Sequence, residues 1–258
     1  MTAQLNGRPA TVEHLASAVG GYGHFTTLRI TDGTARGLAD HLARLADAHR
    51  RVFDADLDTG FVRECLRRAV PARGTVIARI TLVGSPFADI ADTADVLVTL
   101  REAGGAPSAV RLRTVRALRA IPEIKHTGTF SQHFHARAAR RAGFDDALFV
   151  TVDGHIGETS VCTIGFLDPE GTVVWPDAPV LPGVTQQLIT RGLAGFGVRV
   201  EQRPVPVADV GAFRAAFVAN AGSLLRPVSA VDRVALPLDE EWMSLLRRAY
   251  DTNPPEPV

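Results

Sequence analysis

The sequence predicts an α/β fold of the α+β kind in two domains, and three observations lead there. Helix-like apolar stripes and alternating strand-like runs occur in both halves of the chain, without an internal repeat. A turn-forming cluster from Gly104 to Ser108, then a basic segment and Pro122, punctuates the middle. At 258 residues the chain is long enough for two cores.

The elements follow in order. Residues 24–31, His-Phe-Thr-Thr-Leu-Arg-Ile-Thr, alternate and are rich in β-branched side chains, so they read as a strand closed by the turn Asp32-Gly33. Residues 38–53 carry Leu38, Leu42, Leu45, Val52 and Phe53 on one stripe, with Arg44 at its border, and read as a helix. A second helix at 59–69 and strands at 75–82 and 96–100 complete the first half. The domains are expected at 1–114 and 123–258, joined by a linker at 115–122. In the second half, 130–142 reads as a helix stopped by Gly143, and 147–152 as a strand ending in the turn Asp153-Gly154. A strand pair at 158–168 and a strand at 173–176 come next. Leu181-Pro-Gly-Val-Thr185 opens a helix to about 195, followed by a strand at 198–202, a short helix at 209–215, a strand at 216–219 and an amphipathic helix at 238–250. The tail Asn253-Pro-Pro-Glu-Pro is expected to fray.

Composition narrows the function. With 46% hydrophobic and 22% charged residues the chain is of a globular class, and its formal net charge is zero. Arginines are interleaved with acids, which suggests neither a nucleic-acid nor an anionic-membrane partner. Cys65 and Cys162 lack metal-ligand spacing and read as reduced, buried thiols of a cytoplasmic protein. The start has no basic region followed by an apolar run, and no long apolar stretch occurs, so neither secretion nor membrane spanning is expected.

One residue stands out by rarity. Lys125 is the only lysine among 28 basic residues, just after Pro122 and entering a helix-like segment. A lysine amine can be desolvated to its neutral form and attack a carbonyl, which arginine cannot do; alternatively, it is one surface lysine left by chance. A Schiff base within a protein usually takes pyridoxal phosphate, which needs an acid for its ring nitrogen and donors for its phosphate. Glu158, between Ile156 and Val161, suits the first need, or is a hairpin-edge glutamate in water. Gly183-Val184-Thr185 at a helix start suits the second, or is plain capping chemistry. Arg44 could turn inward onto the phosphate or pair with Asp40 or Asp47 at the surface. His133 and His135 have the alternate spacing of two ligands on a strand, but they fall in a helical pattern and read as helix surface or packing, so no metal is expected.

In this order, Phe25-Thr-Thr-Leu-Arg29, His41-Leu-Ala-Arg-Leu45, Ile124-Lys-His126, Ala142-Gly-Phe-Asp-Asp-Ala-Leu148, Asp153-Gly154 with Glu158, Leu181-Pro-Gly-Val-Thr185, and Asn220 with Pro227-Val228 resemble the class IV aminotransferase family. These are the fold-type IV pyridoxal-phosphate enzymes, which include branched-chain and D-amino-acid transaminases and aminodeoxychorismate lyase. The resemblance runs from about 25 to 232. It implies a smaller N-terminal α/β domain, a larger C-terminal domain with a mixed sheet, and pyridoxal 5′-phosphate between them in a homodimer. It further implies that Lys125 holds the cofactor as an aldimine and shuttles a proton, and that Glu158 meets the pyridine nitrogen. Arg44, the Val184-Thr185 backbone, Asn220 and Ala221 would bind the phosphate or support it. Tyr22, His24 and Phe25 stand where the family lines its substrate pocket, or serve ordinary packing. Thr163, Gln186 and Ala221 depart from the family's usual Asn, Arg and Ser or Thr, while Phe130 replaces the tyrosine of branched-chain enzymes. The expected function is amino transfer between an amino acid and a 2-oxo acid. Pyruvate elimination from an aminodeoxychorismate-type substrate and a non-catalytic binding module are the alternatives.

Overall fold

The computed structural model describes residues 2–11, 21–84, 94–104 and 108–258. Two units divide the chain: Met1–Gly104 with Ile124–Gly128 and Pro254–Val258, and Gly105–Glu123 with Thr129–Asn253. The first takes in the Lys125 segment and the second begins before the strand at Val110, so this division differs from a boundary drawn after 114. Within the Gly104–Ser108 cluster, residues 105–107 lie outside the described residues.

The first unit is built on β1 (Thr2–Leu5), β2 (Arg8–Pro9), β3 (Gly23–Thr31), β4 (Thr34–Arg36), β5 (Thr75–Val83) and β6 (Asp95–Glu102). With the C-terminal strand Pro255–Pro257 they form an antiparallel sheet of seven strands, ordered C-terminal strand, β4, β3, β5, β6, β1, β2. β3 and β5 pair without a bulge from Gly23↔Val83 to Thr31↔Thr75. Alternation then sends Leu28, Ile30, Ala78, Ile80, Leu82 and Val98 to one face. Two helices supply that core with Leu38, Leu45, Val62, Cys65 and Leu66: α1 (Leu38–Phe53) and α2 (Thr59–Ala69). Both occupy the expected bounds, because their apolar stripes are complete and Asp58 caps α2 by accepting from Phe61 N at 2.9 Å.

Two expectations fail here. The tail does not fray: Pro255, Glu256 and Pro257 pair with Arg36, Ala35 and Thr34, and the Glu256 carboxylate accepts from Ala39 N at 3.3 Å, near the positive end of α1. Prolines are tolerated there because the strand is at the sheet edge. Lys125 does not enter a helix either: residues 124–128 are non-helical and run beside β3, with an isolated bridge His24↔His126.

The second unit contains β7 (Val110–Arg116), β8 (Asp146–Val150), β9 (Ile156–Thr159), β10 (Thr163–Leu167), β11 (Val173–Pro176), β12 (Val200–Arg203), β13 (Ala215–Asn220), β14 (Leu224–Val231) and β15 (Val234–Ala235). Its helices are α3 (Phe130–Arg141), α4 (Val184–Ala194) and α5 (Glu240–Asp251), with a 3₁₀ turn at Val207–Ala212 where a short α-helix is expected. β7, β8, β9, β10, β13 and β14 close into a ring whose final pairing is Glu158↔Thr163. All six contribute to one cluster, including Val110, Leu148, Ile156, Phe166, Val218 and Val228, so that cluster fills the barrel. β7 pairs in parallel with both β8 and β14, making the sheet mixed. Outside, Leu167, Trp175 and Phe217 pack with Ile189 and Leu193 of α4 and with Trp242 and Leu246 of α5.

Candidate active site

In the first unit, strand-like bonds pin the segment that carries Lys125. Phe25 N donates to Lys125 O at 2.8 Å, and Thr127 N donates to Gly23 O at 2.9 Å. The Lys125 Nζ lies 4.8 Å from the centroid of the Phe25 ring. Arg79, on β5, places Cζ 3.6 Å from the same centroid. Its Nε donates to Thr81 Oγ1 at 3.3 Å, and burial pushes its pKa below the usual value. Among the described residues Arg79 has no acidic partner, so a half-buried cation stands ready for an anion.

The opposite face of β3 holds a polar network. Arg44 Nη2 donates inward to Thr26 Oγ1 at 2.7 Å, while the carboxylate of Asp47, one of its two candidate surface partners, pairs with Arg50. His41 Nδ1 is also 2.7 Å from Thr26 Oγ1. Burial holds the His41 imidazole well below its ordinary pKa, helped by the positive charges of Arg44 and Lys125. His24 is fully buried, with Nε2 3.4 Å from His49 Nδ1 and with Nδ1 lacking a hydrogen-bond partner among the described residues. Burial, then His49, lowers its pKa to about 3. Tyr22 donates its hydroxyl to Val52 O at 2.8 Å and packs edge-on against Phe53.

In the second unit, Glu158 sits at the barrel closure, not at a wet hairpin edge. Arg119 Nε donates to its Oε1 at 2.9 Å and Arg119 Nη2 to its Oε2 at 3.5 Å, with the two side chains 2% and 6% exposed. Thr163, paired with Glu158 across the closure, presses on the start of α4: a Cβ on Gly183 would fall 2.5 Å from Thr163 Oγ1. Gly183 offers no side-chain cap, and Val184 and Thr185 behind it are buried. The first turn of α4 therefore has no side-chain cap from Gly183 at the positive end of its dipole. Asn220 is committed to the turn between β13 and β14: its Oδ1 accepts from Gly222 N and Ser223 N at 2.9 and 2.8 Å, and its Nδ2 donates to Cys162 Sγ at 2.9 Å. Burial pushes the Cys162 thiol up to about 12, which makes it inert.

Two residues escaped the sequence reading. Arg79 interrupts the apolar run Val76-Ile77-Ala78, a signal that could have found it; Arg119 lies 39 residues from Glu158 and has no local signature. His133 and His135 lie on α3, and the His135 ring packs on Phe149 at 5.9 Å. Among the described residues no group of three or more His, Cys, Asp or Glu could hold a metal.

No curated protein matches the sequence at a significant level. Among solved structures, a hypothetical aminotransferase from Mycobacterium tuberculosis in its PLP-bound form is 21% identical, with a TM-score of 0.83 over 98% of this chain and 100% of that one. The same protein is known in a form bound to α-ketoglutarate and PMP. A branched-chain aminotransferase from the archaeon Thermoproteus uzoniensis, with norvaline, is 20% identical, with a TM-score of 0.82 over 96% and 93%. A Legionella pneumophila protein designated a 4-amino-4-deoxychorismate lyase is 17% identical, with a TM-score of 0.77 over 91% and 92%. At these identities the likeness is one of fold. The family model for amino-transferase class IV matches residues 23–231, most of the length, and on that ground the chain belongs to the class IV aminotransferase family.

Proposed function

We propose that this enzyme moves an amino group between an amino acid and a 2-oxo acid, with Lys125 as the residue that holds pyridoxal 5′-phosphate covalently. Class IV aminotransferases use that cofactor. The observation that carries the reading is that the chain's only lysine and Arg79, which has no acidic partner among the described residues, face the same Phe25 ring, 4.8 and 3.6 Å from its centroid. An amine for the chemistry and a cation for a carboxylate are what an amino acid requires.

The residues present fit the cofactor. Glu158 is buried and ion-paired, but Arg119 takes only part of a carboxylate's four lone-pair sites, and the 3.5 Å contact leaves Oε2 able to accept from a pyridinium N–H. The start of α4 at Val184 and Thr185, without a side-chain cap from Gly183, suits a phosphate; Arg44, in the first unit, is a cation of the kind that binds one. Asn220 would hold the neighbouring turn in shape, leaving Ala221 to contribute backbone. When bound, the cofactor supplies an electron sink for the substrate carbanion. The amine of Lys125, freed when substrate takes its place, would move the proton from the substrate Cα to the cofactor C4′ as a general acid–base group. Phe25 positions that amine. Arg79 holds a substrate carboxylate, and Tyr22 and His24 shape the wall behind Phe25.

We further propose a cytoplasmic homodimer. Phe130 and Phe134, 81% and 58% exposed, stack 6.0 Å apart on α3 and offer an apolar surface to a second copy. No helix among the described residues is long and apolar enough to cross a membrane. Pyruvate elimination is the second reading, motivated by Phe25-Thr-Thr, Ile124-Lys-His and Asn220-Ala221, which look closer to the lyase branch.

The test is the absorption spectrum of the protein with pyridoxal phosphate, before and after adding L- and then D-amino acids. A protein-bound band that bleaches to the pyridoxamine form supports transamination. A stable band with pyruvate released from aminodeoxychorismate supports the lyase, and no band refutes both. Borohydride reduction followed by peptide mapping should label Lys125, whereas Lys125→Ala should fold, keep its melting temperature within about 2 °C and take no label.

A further inference from the structure

His41 and Arg44 lie one turn apart on α1, and Thr26 faces them from β3 with none of its surface exposed. A guanidinium carries only donors, so the Thr26 hydroxyl accepts from Arg44 Nη2 at 2.7 Å and keeps one proton to give. Its remaining partner among the described residues is His41 Nδ1, also at 2.7 Å. The proton therefore goes to Nδ1, which assigns His41 the tautomer protonated on Nε2. A proton on Nδ1 would instead leave the hydroxyl hydrogen stranded in the core. Burial and the charges of Arg44 and Lys125 keep the imidazole neutral, so its role as acceptor holds across ordinary pH. The order is fixed: Arg44 gives to Thr26, and Thr26 gives to His41.

We propose that Thr26 and His41 are positioning residues that lock the Arg44 guanidinium for a phosphate group. The inference rests on the reading of Arg44 as a phosphate ligand. An arginine on the border of a helix stripe would ordinarily sweep many rotamers, and binding an anion would have to freeze them. Here one arm is already tied to a buried strand residue whose own proton is committed. Anion binding then loses less conformational freedom, as preorganised sites do.

The test uses the apoprotein titrated with pyridoxal phosphate and, separately, with pyridoxal, which lacks the phosphate. Thr26→Val should weaken pyridoxal phosphate binding about tenfold and leave pyridoxal binding unchanged. Thr26→Ser should restore the parent value. Combined with Arg44→Ala, Thr26→Val should add nothing, since the tie has nothing left to hold. The melting temperature of each apoprotein reports folding, and His41→Phe, which removes the acceptor, replaces Thr26→Val if that variant does not fold. Weakening of both ligands alike would make the network merely structural and overturn the proposal. So would parent affinity in Thr26→Val alongside a weakened Arg44→Ala, an outcome that leaves the phosphate reading of Arg44 standing. Parent affinity in Arg44→Ala would overturn that reading and the positioning role together.

Discussion

Removing the guanidinium of Arg119 exposes how the second unit holds its buried acid. Arg119 and Glu158 meet at 2.9 Å with 2% and 6% of their side chains exposed, so neither charge has water to fall back on. At an effective dielectric of about 20, opposite charges about 3 Å apart attract by about 5 kcal/mol. Taking away one partner leaves the other buried, which costs about 3–5 kcal/mol. Arg119→Leu, similar in bulk, should therefore lower the apoprotein melting temperature by about 10 °C. The double variant Arg119→Leu with Glu158→Leu should recover most of that loss, because it leaves no charge to desolvate. The cofactor supplies a sharper readout. If Glu158 meets the pyridine nitrogen, pyridoxal phosphate restores a partner to the orphaned carboxylate. Its stabilising effect in calorimetry should then be larger in Arg119→Leu than in the parent, and lost in the double variant. A parent-like melting temperature for Arg119→Leu would refute the electrostatic argument. An equal cofactor-induced shift in parent and single variant would refute the contact between Glu158 and the ring.

Other predictions follow from single groups. Arg79→Gln removes the cation over Phe25 and should lower kcat/KM for an amino acid about 10–100-fold while leaving pyridoxal phosphate affinity within about twofold, measured by steady-state kinetics and titration. His24 has a pKa of about 3 in the fold against an ordinary 6.5, so as pH falls the unfolded chain takes up the proton first. Its stabilising contribution is complete above pH 6.5 and is lost between 6.5 and about 3, by up to ~1.4 kcal/mol per pH unit. Urea melts between about pH 7 and pH 5 should show that slope in the parent and a flatter one in His24→Phe. Gly192→Ala places a Cβ 1.9 Å from Ala249 O, a backbone atom of the neighbouring helix that cannot swing aside. It should cost about 3 kcal/mol in urea unfolding, with no such loss in Gly195→Ala, where the nearest atom is 3.4 Å away.

Much of this molecule was readable from local pattern. The stripe through Leu38, Leu42 and Leu45 gave α1 its bounds, the alternation at 24–31 gave β3, and Asp58 before an apolar period marked α2. These features depend on side chains within a few residues of one another, where the periods of helix and strand act. Lys125 and Glu158 could be singled out for a related reason: one breaks a compositional habit, the other puts a charge in an apolar run. The run Val110-Arg-Leu-Arg-Thr-Val-Arg116 carried the same kind of signal, yet it read as a basic connector because three of its seven residues are outward-facing arginines. Other features had no local cause. The C-terminal strand contains two prolines and forms only because an edge of the first sheet accepts it. Glu158 closes a ring against Thr163, and its charge is tolerated because Arg119, 39 residues earlier, is delivered to it by the fold. Likewise Thr26 and Arg44 are ordinary residues until β3 and α1 are packed face to face. The sequence by itself determined the elements and the chemically distinctive residues, since those follow from neighbours along the chain. Which donor met which acceptor, and which arginine was left without an acid among the described residues, was decided by tertiary structure, because only strand pairing and helix packing bring distant groups within hydrogen-bonding range.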